Sequence, residues 1–148
     1  MQNPVADHRP VPLINPVSEP FFAAAREDRL VLQHCPRDGF FFYPRERCPK
    51  CLGADWSWRE ASPLGTLYSF TVDRMGQDPS QRSRVPFHIA LVDLDDGPRM
   101  VGGLVLKAGT APAVGQRVRV RFERVGGEPV ICFEPCPKAD SDGSVTSG

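Results

Sequence analysis

Three cysteines and one aspartate carry the most distinctive chemistry in this sequence: Cys35-x-x-Asp38, followed by Cys48-Pro49-Lys50-Cys51. A tetrahedral zinc site takes four ligands in two short pairs, because each x-x turn aims two side chains at one ion. The second pair is intact. The first ends in a carboxylate, which ligates zinc at about 2.0–2.2 Å, although thiolates are the softer partners and more usual in structural sites. Gly39 follows Asp38 and can take the positive φ that such a turn often needs. Cys35, Asp38, Cys48 and Cys51 are therefore expected to hold a structural zinc. A catalytic zinc would need an open coordination position and a nearby base, and rubredoxin-type iron would need four thiolates. The bland alternative is a relic that no longer holds an ion, but a relic tends to lose ligands in numbers and this one keeps three thiols at the right spacing. His34 is a poor co-ligand, since adjacent strand residues face opposite ways. Cys132 lies in an apolar run and reads as a small buried hydrophobe, while the role of Cys136 stays open.

The second chemistry is cationic. Arg117, Arg119 and Arg121 stand at i, i+2 and i+4, so on a strand they share one face, opposite Val118, Val120 and Phe122. A guanidinium stripe suits phosphate or an acidic partner through bidentate hydrogen bonds; an ordinary solvated barrel face is the competing reading. Arg74, Arg82 and Arg84 punctuate a long polar stretch at 74–86, which is either a functional loop or a mobile tip. Phe40-Phe41-Phe42-Tyr43, near Arg45 and Arg47, cannot all face one small core, so some pack on an adjoining domain, a partner or a ligand. Catalytic constellations are absent: there is no G-x-S-x-G elbow, no phosphate-cradling glycine loop and no H-E-x-x-H, and His8, His34 and His88 are scattered.

These residues need elements to position them. Pro4, Pro10, Pro12 and Pro16 keep residues 1–17 extended, and with Val11, Leu13 and Ile14 the segment is either a disordered end or a strap on a partner. Ser18 can cap a helix over 19–27, where Glu19 and Pro20 suit the first turn and three alanines favour propagation. Strands at 30–34 and 40–44 enter and leave the first knuckle. Beyond Trp56 and Trp58 the pattern predicts five strands. Residues 66–73 alternate, with Tyr68, Phe70 and Val72 on one face and Ser69, Thr71 and Asp73 on the other. Residues 87–94 are apolar on both faces, as a central strand would be. Residues 100–106 carry Gly102-Gly103, the mark of a bulge or barrel corner. Residues 117–123 and 130–133 complete the set, with no helix expected between the third and fourth strands. Five strands with a glycine bend fit a small, partly open OB-type barrel. The expected organisation is an extended arm at 1–17, helix and ribbon at 18–60, barrel at 61–136 and a disordered polar tail at 137–148.

With 148 residues, 41% apolar and 24% charged, the chain fits an ordinary globular domain. Its apolar runs are too short to span a bilayer, and the opening residues lack the pattern of a secretory signal. The expected location is the cytoplasm, where five cysteines favour metal or free thiols over disulfides. A formal net charge of zero argues against bulk electrostatic capture of nucleic acid.

The wording of the chain resembles the DUF35 family over roughly residues 18–135. The resemblance rests on Pro20-Phe21-Phe22, Leu30-Val31-Leu32-Gln33-His34-Cys35, Tyr43-Pro44-Arg45, Cys48-Pro49-Lys50-Cys51, Gly65-Thr66-Leu67-Tyr68-Ser69-Phe70-Thr71-Val72, Ala90-Leu91-Val92-Asp93-Leu94 and Val114-Gly115-Gln116-Arg117-Val118-Arg119-Val120. It implies a mainly β fold: an N-terminal helix and a rubredoxin-like zinc ribbon joined to an OB-fold. It also implies a non-catalytic accessory subunit of acyl-CoA metabolism, partnered with a thiolase-like or ketosynthase-like enzyme or an acyl-CoA hydratase. Asp38 departs from the family pattern, which has a second cysteine there. In that setting Arg117, Arg119, Arg121, Arg74 and Arg84 become candidate contacts for the phosphates of a CoA thioester. The competing readings are a nucleic-acid-binding ribbon-and-barrel module, which should show aromatic platforms in a basic groove, and a freestanding enzyme. No membrane association is expected.

Overall fold

The computed structural model describes residues 9–136; His8, the first residues of the arm and the expected tail at 137–148 lie outside the described residues. Arg9 to Val17 form neither helix nor strand. They lie on the protein's own barrel: Arg9 pairs with Glu123 at 3.0 Å, Val11 lies over Gly126, and Ile14 packs on the main core. The described arm is thus a strap, and its Leu13 is still 92% exposed.

Helix α1 (Glu19–Arg26) starts with Pro20 in its first turn, but the expected cap differs. Ser18 makes no side-chain cap bond because its hydroxyl turns back to Asn15, accepting from the Asn15 N–H at 3.1 Å. Asn15 supplies the side-chain acceptor instead, its Oδ1 accepting from the Ser18 N–H at 2.9 Å, while its main-chain carbonyl accepts from the N–H groups of Ser18 and Glu19 at 3.1 and 2.9 Å. An eight-residue helix is too short to persist alone. Burial of Phe21, Phe22 and Ala25 docks it. Arg124 holds its far end, donating to the Arg26 carbonyl at 2.9 Å.

The ribbon is a three-stranded antiparallel sheet in the order β2-β1-β3, from β1 (Val31–Cys35), β2 (Gly39–Phe41) and β3 (Ser57–Glu60). Strand β2 stops earlier than expected. Pro44 has no N–H for a ladder, and Phe42 leaves to meet Phe21, with 5.6 Å between ring centroids. Strand β3 was not legible: Ser57-Trp58-Arg59-Glu60 carries one apolar residue, too few to show a period, and it forms by pairing with the free edge of β1.

The barrel is closed, in the order β4-β5-β6-β8-β7, from β4 (Leu64–Asp73), β5 (Phe87–Leu94), β6 (Arg99–Leu104), β7 (Arg117–Val125) and β8 (Glu128–Pro135). Residues 64–66 pair with 117–119 to close the ring, and β6 runs parallel to β8. Five strands arrive as expected, with two corrections. A register shift between Leu67 and Ser69 makes Tyr68 the extra residue of a bulge. Leu67 is fully buried in its place, and Tyr68 is 50% exposed beneath the Arg99 guanidinium, 3.5 Å from the ring centroid. A bulge breaks the clean alternation expected across Tyr68, Phe70 and Val72. Strand β5 is not apolar-buried on both faces: Ala90, Val92 and Leu94 are buried while Leu91 faces out.

The glycine pair marks no bulge in the β5–β6 ladder, whose register runs unbroken from His88–Leu104 to Asp93–Arg99. It marks the approach of β8. A Cβ on Gly102 would lie 2.7 Å from the Ile131 carbonyl oxygen and 2.9 Å from the Phe133 ring, whereas one on Gly103 would meet only Cys132 Sγ at 3.8 Å. Gly102→Ala is therefore expected to cost about 1–3 kcal/mol by overpacking and Gly103→Ala much less. Paired urea melts check this, and equal costs would refute it. One continuous core joins the parts: Phe21, Phe22, Leu30 and Leu32 of the helix and ribbon pack with Leu67, Val92, Met100, Val118 and Phe133 of the barrel.

Candidate functional site

Strand β1 delivers Cys35 to the knuckle, and the turn into β2 is made at Gly39, with φ +82°. Phe41 packs with Cys35 and Cys48 in a second small cluster, flanked by Cys51 and Trp56. Gln33, fully buried, clamps the connection between the knuckles. Its amide donates to the Arg45 carbonyl at 2.7 Å and accepts from the Arg45 N–H at 2.9 Å. Trp56 Nε1 donates to the Glu46 carbonyl at 2.7 Å. In the second knuckle the Leu52 N–H donates to the Cys48 carbonyl at 2.9 Å, and the Gly53 N–H points at Cys51 Sγ at 3.4 Å. Gln33 stands in the sequence as an ordinary strand residue and Trp56 in no predicted element, so nothing flagged these supports.

The donor atoms of Cys35, Asp38, Cys48 and Cys51 lie within 4.8 Å of one another. Cys35 Sγ is 3.6 Å from Cys51 Sγ and 3.7 Å from Asp38 Oδ2, and Cys48 Sγ is 3.3 Å from that oxygen. A tetrahedral zinc with bonds of about 2.3 Å to sulfur and 2.0 Å to oxygen sets S···S near 3.8 Å and S···O near 3.5 Å. The four donors fit that ion. Their titration reflects the crowding. Arg37 and Asp38 N–H groups, with the neighbouring thiols, draw the Cys35 thiol down. Cys51 and Cys48 thiols hold Asp38 below the usual carboxylate range. The Gly53 N–H favours the Cys51 thiolate, yet the Asp38 carboxylate, burial and the other thiols outweigh it and push Cys51 up to about 11. Among the described residues, His34 and Cys136 are not part of the cluster. Cys132 is buried, and burial beside Glu123 pushes its thiol up to about 11. Of the aromatics, Phe40 and Phe42 pack on the main core, Phe41 lines the metal cluster, and Tyr43 is about half exposed.

The five candidate arginines do not converge. Arg117 is committed to Asp95 through two hydrogen bonds of 2.6 and 2.7 Å, with a third to Thr66. Arg74 and Arg84 flank the β4–β5 loop at the opposite end of β4, roughly 20 Å away at a strand's rise per residue, and Arg84 lies over the Phe87 ring. Arg119 and Arg121 line a cleft of about 730 Å³ where the ribbon meets the barrel, together with Arg29, which sequence reasoning missed. The Arg117 guanidinium holds Asp95 below its ordinary value. A depressed folded pKa gives stabilisation present above about pH 4 and lost as pH falls further. Asp95→Asn is thus expected to destabilise slightly at pH 7, since the pair is exposed, and the difference from wild type should shrink in melts at pH 3.

With the geometry established, the comparisons with known proteins are direct. Residues 22–57 match the model of the rubredoxin-like zinc ribbon domain of ChsH2, and residues 58–123 match that of its C-terminal OB-fold domain. A solved structure described as the Ltp2-ChsH2(DUF35) aldolase is 31% identical, with a TM-score of 0.72, covering 84% of this chain and 98% of that one. The chain belongs to the DUF35 family. A Thermomonospora curvata protein named "probable enoyl-CoA hydratase alpha subunit" is 37% identical over 105 residues, 70% of this chain but 31% of that protein, so the chain spans about a third of that relative. A DUF35 domain-containing scaffold protein of Methanocaldococcus jannaschii is 27% identical over 109 residues, 70% of this chain and 77% of that one. A DUF35 protein of Sulfolobus solfataricus, 16% identical with a TM-score of 0.60, shares the fold. Among the described residues, no helix is long and apolar enough to cross a membrane.

Proposed function

We propose that the chain is a non-catalytic subunit of an acyl-CoA enzyme, which docks on a thiolase-like, ketosynthase-like or hydratase partner and helps hold a CoA thioester. One observation carries the reading. The ribbon-and-barrel unit recurs in relatives named as a scaffold protein, a hydratase alpha subunit and part of an aldolase. In this chain it offers a compact frame whose cluster of metal-type ligands joins the two knuckles. Zinc held by Cys35, Asp38, Cys48 and Cys51 supplies that cross-link between the two knuckles. Each expected docking region presents exposed apolar side chains: Leu13 on the strap, Tyr43 after the ribbon aromatics, and Met75 in the loop at 74–86. Burial of these residues gains about 25 cal/mol per Å², which favours contact with a partner surface.

The test is affinity purification of the tagged full chain from its native host, with co-eluting chains identified by mass and acyl-CoA turnover measured with and without this subunit. A stoichiometric acyl-CoA enzyme that depends on the subunit supports the reading. Turnover by the purified chain alone would overturn it. Hydrogen exchange on the complex should slow at the strap, around Tyr43 and in the loop at 74–86.

A further inference from the structure

We propose that Cys51 and Cys35 are a modification site for hydroperoxides, at which oxidation joins the two knuckles by a disulfide and releases the zinc. The inference goes beyond the acyl-CoA reading and does not depend on it. It rests on the donor geometry of the ribbon and on the carboxylate at Asp38.

In a ribbon with four thiols each C-x-x-C pair can close on itself, and oxidation then leaves no bond between the knuckles. Asp38 removes that route here. Cys35 has no second thiol in its own turn, and the sulfur in contact with it is that of Cys51 in the other knuckle, 3.6 Å away. Cys48 is engaged by the carboxylate instead, its sulfur 3.3 Å from Asp38 Oδ2. Closing 3.6 Å to a disulfide of about 2.05 Å asks for roughly 1.5 Å of approach. Access is graded as the chemistry requires: Cys51 is partly exposed, whereas Cys35 and Cys48 are buried.

The Cys51 thiolate attacks one peroxide oxygen. An S–O bond forms, the O–O bond breaks, and the departing hydroxide takes a proton from solvent to leave as water, so that Cys51 becomes a sulfenic acid. The Cys35 thiolate then attacks the Cys51 sulfur. An S–S bond forms, the S–O bond breaks, and a second hydroxide leaves as water after taking a second proton. The two thiolates have together given two electrons to one peroxide. Cys48 and Asp38 remain as donors, too few to retain a tetrahedral ion that takes four. The disulfide closes a span of 16 residues and replaces the metal as the tie between knuckles. A thiol reductant reverses it by exchange, as befits a transient, redox-sensing bond in a reducing compartment.

The experiment treats the zinc-loaded full chain with hydrogen peroxide, follows metal release with a chromophoric chelator and maps disulfides on tryptic peptides. Arg37, Arg47 and Lys50 separate the ribbon thiols, so each falls on its own peptide. The expected result is loss of two of the five thiols and of the zinc, with Cys35 linked to Cys51 of the same chain. Cys48 should remain a thiol, and so should Cys132, whose burial makes it the internal reference. The oxidised protein should melt above the reduced, zinc-free protein, because its knuckles stay tied. Asp38→Cys restores a thiol pair to the first knuckle, so its oxidation should give links inside each knuckle and lose that advantage. A link between Cys48 and Cys51, or between chains, in the wild type would overturn the pair. Zinc retained until Cys132 has also oxidised would overturn the sensitivity. Neither result bears on whether a partner enzyme depends on this subunit, which decides the proposed function separately.

Discussion

Cys48→Ala is expected to lower the thermal midpoint by about 10 °C, through a loss of at least 3 kcal/mol, and to abolish stoichiometric zinc. The ribbon's own cluster consists of Cys35, Phe41 and Cys48, with Cys51 and Trp56 at its edge, and a cluster so small cannot hold two knuckles without a cross-link. Chelation of the wild-type protein should reproduce the variant's melt and remove exchange protection from the knuckles, while the β4–β5 ladder keeps most of its own. Asp38 gives a graded counterpart. Asp38→Ala removes a harder, partly buried ligand and should weaken zinc less than Cys48→Ala does. Asp38→Cys completes a four-thiolate set and should raise zinc affinity at least tenfold, because thiolate is the softer donor. Competition against a chromophoric chelator measures all three. A wild-type melt insensitive to chelator, with no zinc in the purified protein, would return the cluster to the status of a relic.

Legibility in the sequence followed the range of the interactions concerned. The knuckles were readable because ligand pairs are local: an x-x turn fixes its geometry within four residues. Strands with clean alternation, such as the one bearing Val118 and Val120, were equally readable, and so was the barrel they build. Features set by contacts distant in sequence were not. The strand Ser57–Glu60 exists because the edge of β1 is open to it. The outward turn of Tyr68 follows from a bulge opposite β5, and the need for glycine at 102 comes from β8. The helix cap failed for a subtler reason. Ser18 and Asn15 are both capping residues, and reciprocal bonds between them decided which one caps. The arginine stripe shows the same limit. Its shared face was legible, but which guanidinium finds a partner depends on Asp95 and Glu134, neither of them near it in sequence.

Phe21→Ala is expected to cost about 3–5 kcal/mol, the range for emptying a buried phenylalanine site, against about 5–15 kcal/mol for a typical domain's whole stability. Phe21 is 1% exposed, and its ring meets Phe22 of the helix, Phe42 of the ribbon and Phe122 of the barrel at centroid distances of 5.1, 5.6 and 6.2 Å. Among the described residues, it is the one side chain whose ring contacts reach all three units. Its loss should therefore weaken their coupling as well as their packing. A double-mutant cycle with Phe42→Ala should show a coupling of about 0.5–3 kcal/mol. Additivity within about 0.5 kcal/mol would mean that ribbon and barrel are held together by other contacts. The metal cluster is a separate packing unit from the one Phe21 occupies, so the variant should retain its zinc stoichiometry while its global melt falls. Cys48→Ala should lose its zinc and open at the knuckles first. Exchange protection read at Cys35 and at Val92 in the two variants distinguishes the outcomes, and loss of both sites together in each would show that metal and core act as one cooperative unit.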